Sequence, residues 1–287
     1  MLKISNNLLR GKRVEHVDTS KKSRGTNTKK FIVVHYTAGT SYKSDVRVLS
    51  SAKAQVSCHL VVGPSGKITQ VGDFDDVLWH AGKSKWRGLH GLNRHSIGIE
   101  VTCPGPVEYV GKDSSNRRIF KTWSGHKLVE GVSPWGFVKK QHRNGGRTKW
   151  WATFTLKQNE VLAELIPLIV DMYGVTEVVG HDDIAPTRKQ DPGPSMSRSL
   201  WSLIEGRNED GQTIESSAVG SINNRAYIVT TPDNSNLNTR DAPNGKIIGS
   251  LPNGTPVDHI GVKDKWIKVK SPAGYKGWVY GKYLKRV

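Results

Sequence analysis

Two histidines and one aspartate occupy positions from which chemistry can be done. His35 closes the apolar run Phe31-Ile-Val-Val34, and His181 follows the short run 176–180. Asp191 lies ten residues beyond His181, in Arg188-Lys-Gln-Asp-Pro-Gly-Pro194. Imidazole nitrogens and a carboxylate oxygen are the donors of catalytic zinc sites, where three protein ligands leave the fourth tetrahedral position to water. The prolines flanking Asp191 restrict its loop and hold the carboxylate still. A histidine at a strand end serves equally well as a hydrogen-bonded structural group, so spacing by itself leaves both readings open.

These side chains need elements to position them. Residues 31–36 and 57–62 read as strands, and Gly63-Pro-Ser-Gly66 turns the second into another strand at 67–71. A helix is predicted over 43–54 and a strand over Ser96–Val101. The clearest helix spans 155–173: Thr155 and Gln158 have capping-box spacing, apolar residues recur from Leu156 to Ile169, and Gly174 stops it. Pro167 is expected to kink it. Strands alternating with helices predict an α/β domain, a mixed sheet flanked by helices, and ligand-binding groups gather at the strand ends of such sheets.

After Glu205 the composition changes. Residues 206–223 are polar and poor in aromatics, as a linker is. Beyond them short apolar stretches are punctuated by Pro243-Asn-Gly245, Pro252-Asn-Gly254 and Pro272-Ala-Gly274, the pattern of a small all-β domain built from hairpins. The expected organisation is a catalytic domain over 1–205 with an insertion at 104–150, a linker at 206–223 and a β domain over 224–287.

Charge narrows the partners. The 287 residues carry 43 Lys plus Arg against 25 Asp plus Glu, a formal net charge of +18. The excess sits in three blocks: residues 1–30 (nine basic, two acidic), 104–150 (ten and three) and 223–287 (eleven and four). Such blocks attract polyanions in a salt-dependent way. The insertion also holds Trp123 and Trp135 and ends at Trp150-Trp151, so either it lines a groove for sugar rings or an anionic polymer, or it is a β-hairpin packed on the domain edge. Cys58 and Cys103 read as buried thiols and His59 as a core histidine. No apolar run approaches the roughly 20 residues of a membrane span, and no nucleic-acid-binding motif accompanies the charge. The first residues lack an apolar secretion signal, so the expected location is the cytoplasm of the producing cell.

Four strings carry a resemblance to a known family: Val34-His-Tyr-Thr-Ala-Gly39, Val77-Leu-Trp-His-Ala-Gly82, Ser96-Ile-Gly-Ile-Glu100 and Val179-Gly-His-Asp-Asp-Ile-Ala-Pro-Thr-Arg-Lys-Gln-Asp-Pro-Gly-Pro194. In this order they resemble the type 2 zinc N-acetylmuramoyl-L-alanine amidases, over residues 10–205. The resemblance implies Zn2+ held by His35, His181 and Asp191, Glu100 as general base, Lys189 as oxyanion partner, and His80 with Trp79 on the substrate side. Where some relatives carry a tyrosine near the metal this chain has Cys58, so no hydroxyl role transfers. The last 65 or so residues resemble the bacterial SH3-like wall-binding module. Together the resemblances imply cleavage of the amide between N-acetylmuramic acid and L-alanine in bacterial peptidoglycan, as in a phage endolysin that also meets anionic envelope polymers. The alternatives are a cytoplasmic muropeptide-recycling amidase, which leaves the wall-binding module and charge unexplained, and a non-catalytic peptidoglycan receptor, which the complete ligand set opposes.

Overall fold

Among the described residues, the first unit is organised by a six-stranded mixed sheet ordered Glu177–Gly180, Phe31–Tyr36, Ser96–Val101, Leu60–Val62, Ile68–Gln70, Val14–His16. The computed structural model describes residues 2–196, 226–232, 235–263, 265–270 and 276–286. The predicted linker at 206–223 lies outside them. The chain divides into two compact units, Met1–Ile214 and Glu215–Val287.

The first four strands run parallel, and the Leu60 and Ile68 strands form an antiparallel hairpin through the predicted glycine turn, where Gly66 has φ +82°. Register sets the level of the chemistry. Glu100 pairs with His35, and Gly180 pairs with Val34, so three adjacent parallel strands end together.

Period-two alternation then decides which side each residue faces. Ile32 and Val34, with Ile97, Ile99 and Val101, pack into one core with the long helix. Phe31 and Val33 pack on the opposite side with Ala81, Leu92, Val179 and Ile184. His35 follows Phe31 and Val33, and Glu100 follows Ser96 and Gly98, so both side chains leave the sheet on the side away from the long helix.

Helix α1 (Tyr42–Ser50) is shorter than predicted, because the Ser51 hydroxyl accepts the Lys53 N–H in a local turn that competes with helix continuation. Helix α2 (Leu156–Tyr173) carries the expected capping box at Thr155 and Gln158, and Gly174 ends it in the left-handed conformation at φ 64°. It continues through Pro167, buried along Val161, Leu162, Leu165, Ile166 and Ile169. No helix among the described residues is long and apolar enough to cross a membrane.

The insertion is more than a hairpin. It forms an antiparallel five-stranded sheet ordered Lys127–Val129, Arg118–Lys121, Pro106–Lys112, Gly145–Thr153, Gly136–His142. Phe120, Leu128 and Trp135 are buried in the same core as α2. Cys58 and Cys103 are buried free thiols, and burial pushes the Cys103 thiol up to about 12.

The second unit is all-β. Its described strands form one antiparallel sheet ordered Ile247–Leu251, Leu237–Arg240, Lys276–Tyr280, Trp266–Lys270, Pro256–Lys263, Ala226–Val229, Leu284–Arg286. Val229, Leu237, Leu251, Val257, Val269 and Val279 form its core.

Candidate active site

His35, His181 and Asp191 reach one point by three different local routes. His35 stands at the end of the Phe31 strand. His181 opens helix α3 (His181–Ile184), whose first turn is closed by the Gly180 N–H donating to Asp183 Oδ2 at 2.6 Å. The Asp191 loop is drawn back onto that turn by the Asp182 N–H, which donates to the Asp191 carbonyl at 2.7 Å. The insertion holds this assembly from outside: His142 Nε2 lies 3.1 Å from Asp182 Oδ2 and 3.2 Å from the Gln190 carbonyl, and Arg143 pairs with Asp183.

Three donor atoms converge. His35 Nδ1 lies 2.8 Å from His181 Nδ1 and 2.9 Å from Asp191 Oδ2, and His181 Nδ1 lies 3.0 Å from the same oxygen. All three residues are buried. Two nitrogen lone pairs and an anionic oxygen at this spacing repel one another unless a proton or a metal cation lies among them. The far side of each imidazole fixes its tautomer. His181 Nε2–H donates to the Ala81 carbonyl at 3.1 Å. His35 Nε2 lies 3.0 Å from His80 Nδ1, and His80 Nε2 lies 3.4 Å from the Ser96 carbonyl and 3.3 Å from its hydroxyl. Protons at both Nε2 atoms of this relay leave both Nδ1 lone pairs facing the aspartate, as a metal ligand set requires.

His80 therefore lies beneath His35. Its ring covers Gly98, where any added Cβ would collide with it. Trp79 lines the cleft, its indole N–H donating to Ser23 Oγ at 3.0 Å. Glu100 Oε1 stands 4.0 Å from His35 Nδ1, and Glu100 Oε2 is buried with no hydrogen-bond partner among the described residues. Burial, reinforced by Asp191, pushes the Glu100 carboxyl up to about 8, against the opposing pull of Lys189. Lys189 is half-buried on the rim.

Sequence reasoning did not single out Thr37, Ser124, His126 or Arg188, all of which line the same cleft of about 850 Å³. Arg188 Nη2 donates to the Ala81 and Lys83 carbonyls at 3.0 and 2.9 Å, tying the Asp191 loop to the segment that follows His80.

Burial lowers His35 and His59 to about 4 and His80 well below its usual value. The unfolded chain takes up these protons near pH 6.5, so between pH 6.5 and 4 it binds more of them than the folded chain and stability falls as pH falls. Glu100 opposes this. Its raised value means the folded chain keeps a proton between pH 4.5 and about 8, so that contribution fades as pH rises through the window. The histidines dominate the acid range, so in metal-free protein the urea midpoint is expected to drop from pH 6.5 to 4.5. A midpoint unchanged over that range contradicts the buried neutral histidines.

In the second unit a separate hollow of about 480 Å³ is lined by Asn236, Arg240, Trp266, Tyr280 and Tyr283.

Known proteins share these features. Residues 235–285 match the bacterial SH3 domain family. The Escherichia coli K12 N-acetylmuramoyl-L-alanine amidase AmiD is 32% identical over 174 residues, covering 58% of this chain and 49% of AmiD. The 1,6-anhydro-N-acetylmuramyl-L-alanine amidase AmpD of the same organism is 27% identical over 155 residues, covering 53% of this chain and 60% of AmpD. The chain thus spans about half the length of the curated relatives it matches. A solved complex of E. coli AmiD with anhydro-N-acetylmuramic acid-L-Ala-D-γ-Glu-L-Lys superposes with a TM-score of 0.42 at 26% identity, over 68% of this chain and 62% of that one. Residues 25–194 match the N-acetylmuramoyl-L-alanine amidase family profile, and the chain belongs to that family.

Proposed function

We propose that this protein is a zinc-dependent peptidoglycan hydrolase that cleaves the amide between the lactyl group of N-acetylmuramic acid and L-alanine. The observation that carries the reading is the convergence of His35 Nδ1, His181 Nδ1 and Asp191 Oδ2, all within 4.8 Å of one another, in a chain of this family. Zinc, when bound there, supplies a Lewis acid that activates water near neutrality and polarises a carbonyl.

The protein's own groups do the rest. The Ala81 carbonyl and His80 hold the two imidazoles in the ligating tautomer. Glu100, with one carboxylate oxygen unpartnered, takes the proton of the attacking water and returns it to the leaving amine of L-alanine. Its raised affinity for a proton falls when a divalent cation sits beside it, which brings the carboxylate form into the neutral range. Lys189 places positive charge where the amide oxygen becomes anionic. Trp79 forms part of the wall against which the substrate lies.

His80 also supports His35 from behind. His80→Ala leaves the His35 Nε2–H without its partner and is expected to weaken zinc binding about 10- to 100-fold, read by competition with a chromogenic chelator. Unchanged affinity would remove His80 from the relay.

The lytic role draws on the C-terminal SH3 match and on the charge of +18, which suit a protein retained on an anionic wall. In this reading the protein is made in the cytoplasm of the producing cell and acts on the wall after release. The AmpD relatives, named for an anhydromuramyl substrate, favour a second reading in which small soluble muropeptides are cleaved. Incubation with a soluble muramoyl tripeptide tests the chemistry common to both: free peptide should appear, cease with chelator and resume with added zinc. Absence of released peptide overturns both.

A further inference from the structure

The insertion sheet parts in the middle. Strand Pro106–Lys112 pairs with Gly145–Thr153 only at Pro106↔Trp151 and Val107↔Trp150, then leaves to pair with Arg118–Lys121. Where the two hairpins separate, a hollow of about 520 Å³ opens. One lip carries Tyr109, Lys121 and Trp123, and the other carries Lys139, Lys149 and Trp150.

Charge here is unbalanced. Of the insertion's acidic residues, Asp113 pairs with Arg117 and Glu130 with Arg118, and Glu108 is the one carboxylate on the hollow's rim. Lys121, Lys139 and Lys149 are exposed and make no ion pair among the described residues. Lys149 Nζ lies 3.4 Å from the Gln190 side-chain oxygen, beside the ligand loop.

Trp123 joins this hollow to the reacting cleft, since it lines both. It is 78% exposed, yet its indole N–H donates to the Ala38 carbonyl at 2.8 Å, so the ring is held in place with its faces in water. A large aromatic surface left exposed while its indole N–H is anchored is a feature to be explained by a ligand, and indole faces suit the C–H faces of sugars.

We propose that this hollow is a second binding site, beyond the reacting amide, for an anionic glycan–peptide strand. A sugar ring stacks on Trp123, and stem-peptide carboxylates, such as the α-carboxylate left free by a γ-linked glutamate, meet Lys121, Lys139 and Lys149. The proposal rests on the amidase reading of the cleft, and gives the enzyme a preference for polymeric over single-sugar substrate.

The test uses the full chain and the double variant Lys121→Gln/Lys139→Gln, neither position being among the residues that line the reacting cleft. Rates are measured on a soluble muramoyl tripeptide and on purified peptidoglycan freed of phosphate polymers. Co-sedimentation of chelator-treated protein with the same peptidoglycan reads binding without turnover. The double variant should raise KM on the polymer about three- to tenfold, with a weaker salt dependence, and lower sedimentation affinity by a similar factor. kcat and KM on the tripeptide should stay unchanged. Equal polymer KM and equal sedimentation in the two proteins overturn the site, as does an equal loss on both substrates. A wild-type protein inactive on both substrates overturns the amidase reading instead, and sedimentation then still decides whether the lysines bind the strand. Binding restored only when phosphate polymers are left on the wall assigns the hollow to those polymers and overturns the stem-carboxylate assignment.

Discussion

Asp191→Ala is expected to abolish zinc binding and to cut amide hydrolysis by roughly 10³-fold or more. The carboxylate is the single anion among the three donors, lying 2.9 Å from His35 Nδ1 and 3.0 Å from His181 Nδ1. Without it, a divalent cation would enter a buried pocket with two neutral ligands and no compensating charge, at a large desolvation cost. Asp191→Asn keeps the shape but not the charge and is expected to lose most of the affinity too. Zinc titration by calorimetry, with metal content by mass spectrometry, checks the result. A variant that still binds one zinc at wild-type affinity, or still turns over, removes Asp191 from the ligand set.

Glu100→Gln is the second large effect, with a different signature. Zinc content should be unchanged while kcat falls about 10²- to 10⁴-fold, the range for loss of a positioned general base. Glu100 Oε1 is 4.0 Å from His35 Nδ1, close enough to reach a water at the site yet outside the tight cluster formed by the three donors. Glutamine keeps the side-chain volume, so KM should change little. Loss of zinc together with activity would make Glu100 a ligand or a ligand support, and activity within tenfold of wild type would remove it from proton transfer.

The residues that bear on chemistry differ in how far local sequence reaches them. His35 was readable from its place near the end of a short buried strand, whereas Glu100 was reached only through the family resemblance; parallel pairing sets the two opposite each other. The capping box and glycine stop of α2 are wholly local and appear as read. The extent of the insertion was not readable. Its five strands pair across turns whose polar, lysine-rich sequence alternates weakly, and its burial depends on the core beneath. The cleft residues Ser124 and His126 follow Trp123, whose indole contacts Ala38 across 85 residues of chain. No periodicity links segments so far apart. The substrate-side expectation for His80 rested on its motif's resemblance to the family. In the structure His80 is among the residues lining the cleft, and its ring lies over Gly98, on the face opposite buried Ile97 and Ile99. In the second unit, Asn244-Gly245 joins a hairpin as read, whereas the strands flanking Asn253-Gly254 do not pair with each other and the turn at 272–274 lies outside the described residues; the placement of Ala226–Val229 between Pro256–Lys263 and Leu284–Arg286 joins segments from both ends of the domain.

The central claim is amide cleavage by the His35, His181 and Asp191 site, and identification of new chain ends in digested sacculi tests it most directly. Purified sacculi treated with the full chain should gain free L-alanine amino termini with glycan strands intact, as read by mass spectrometry. The ends should be absent with a chelator, return with zinc, and fail to form with Glu100→Gln. New reducing sugars, new ends within the peptide stems, or undiminished cleavage in the presence of chelator would contradict the account.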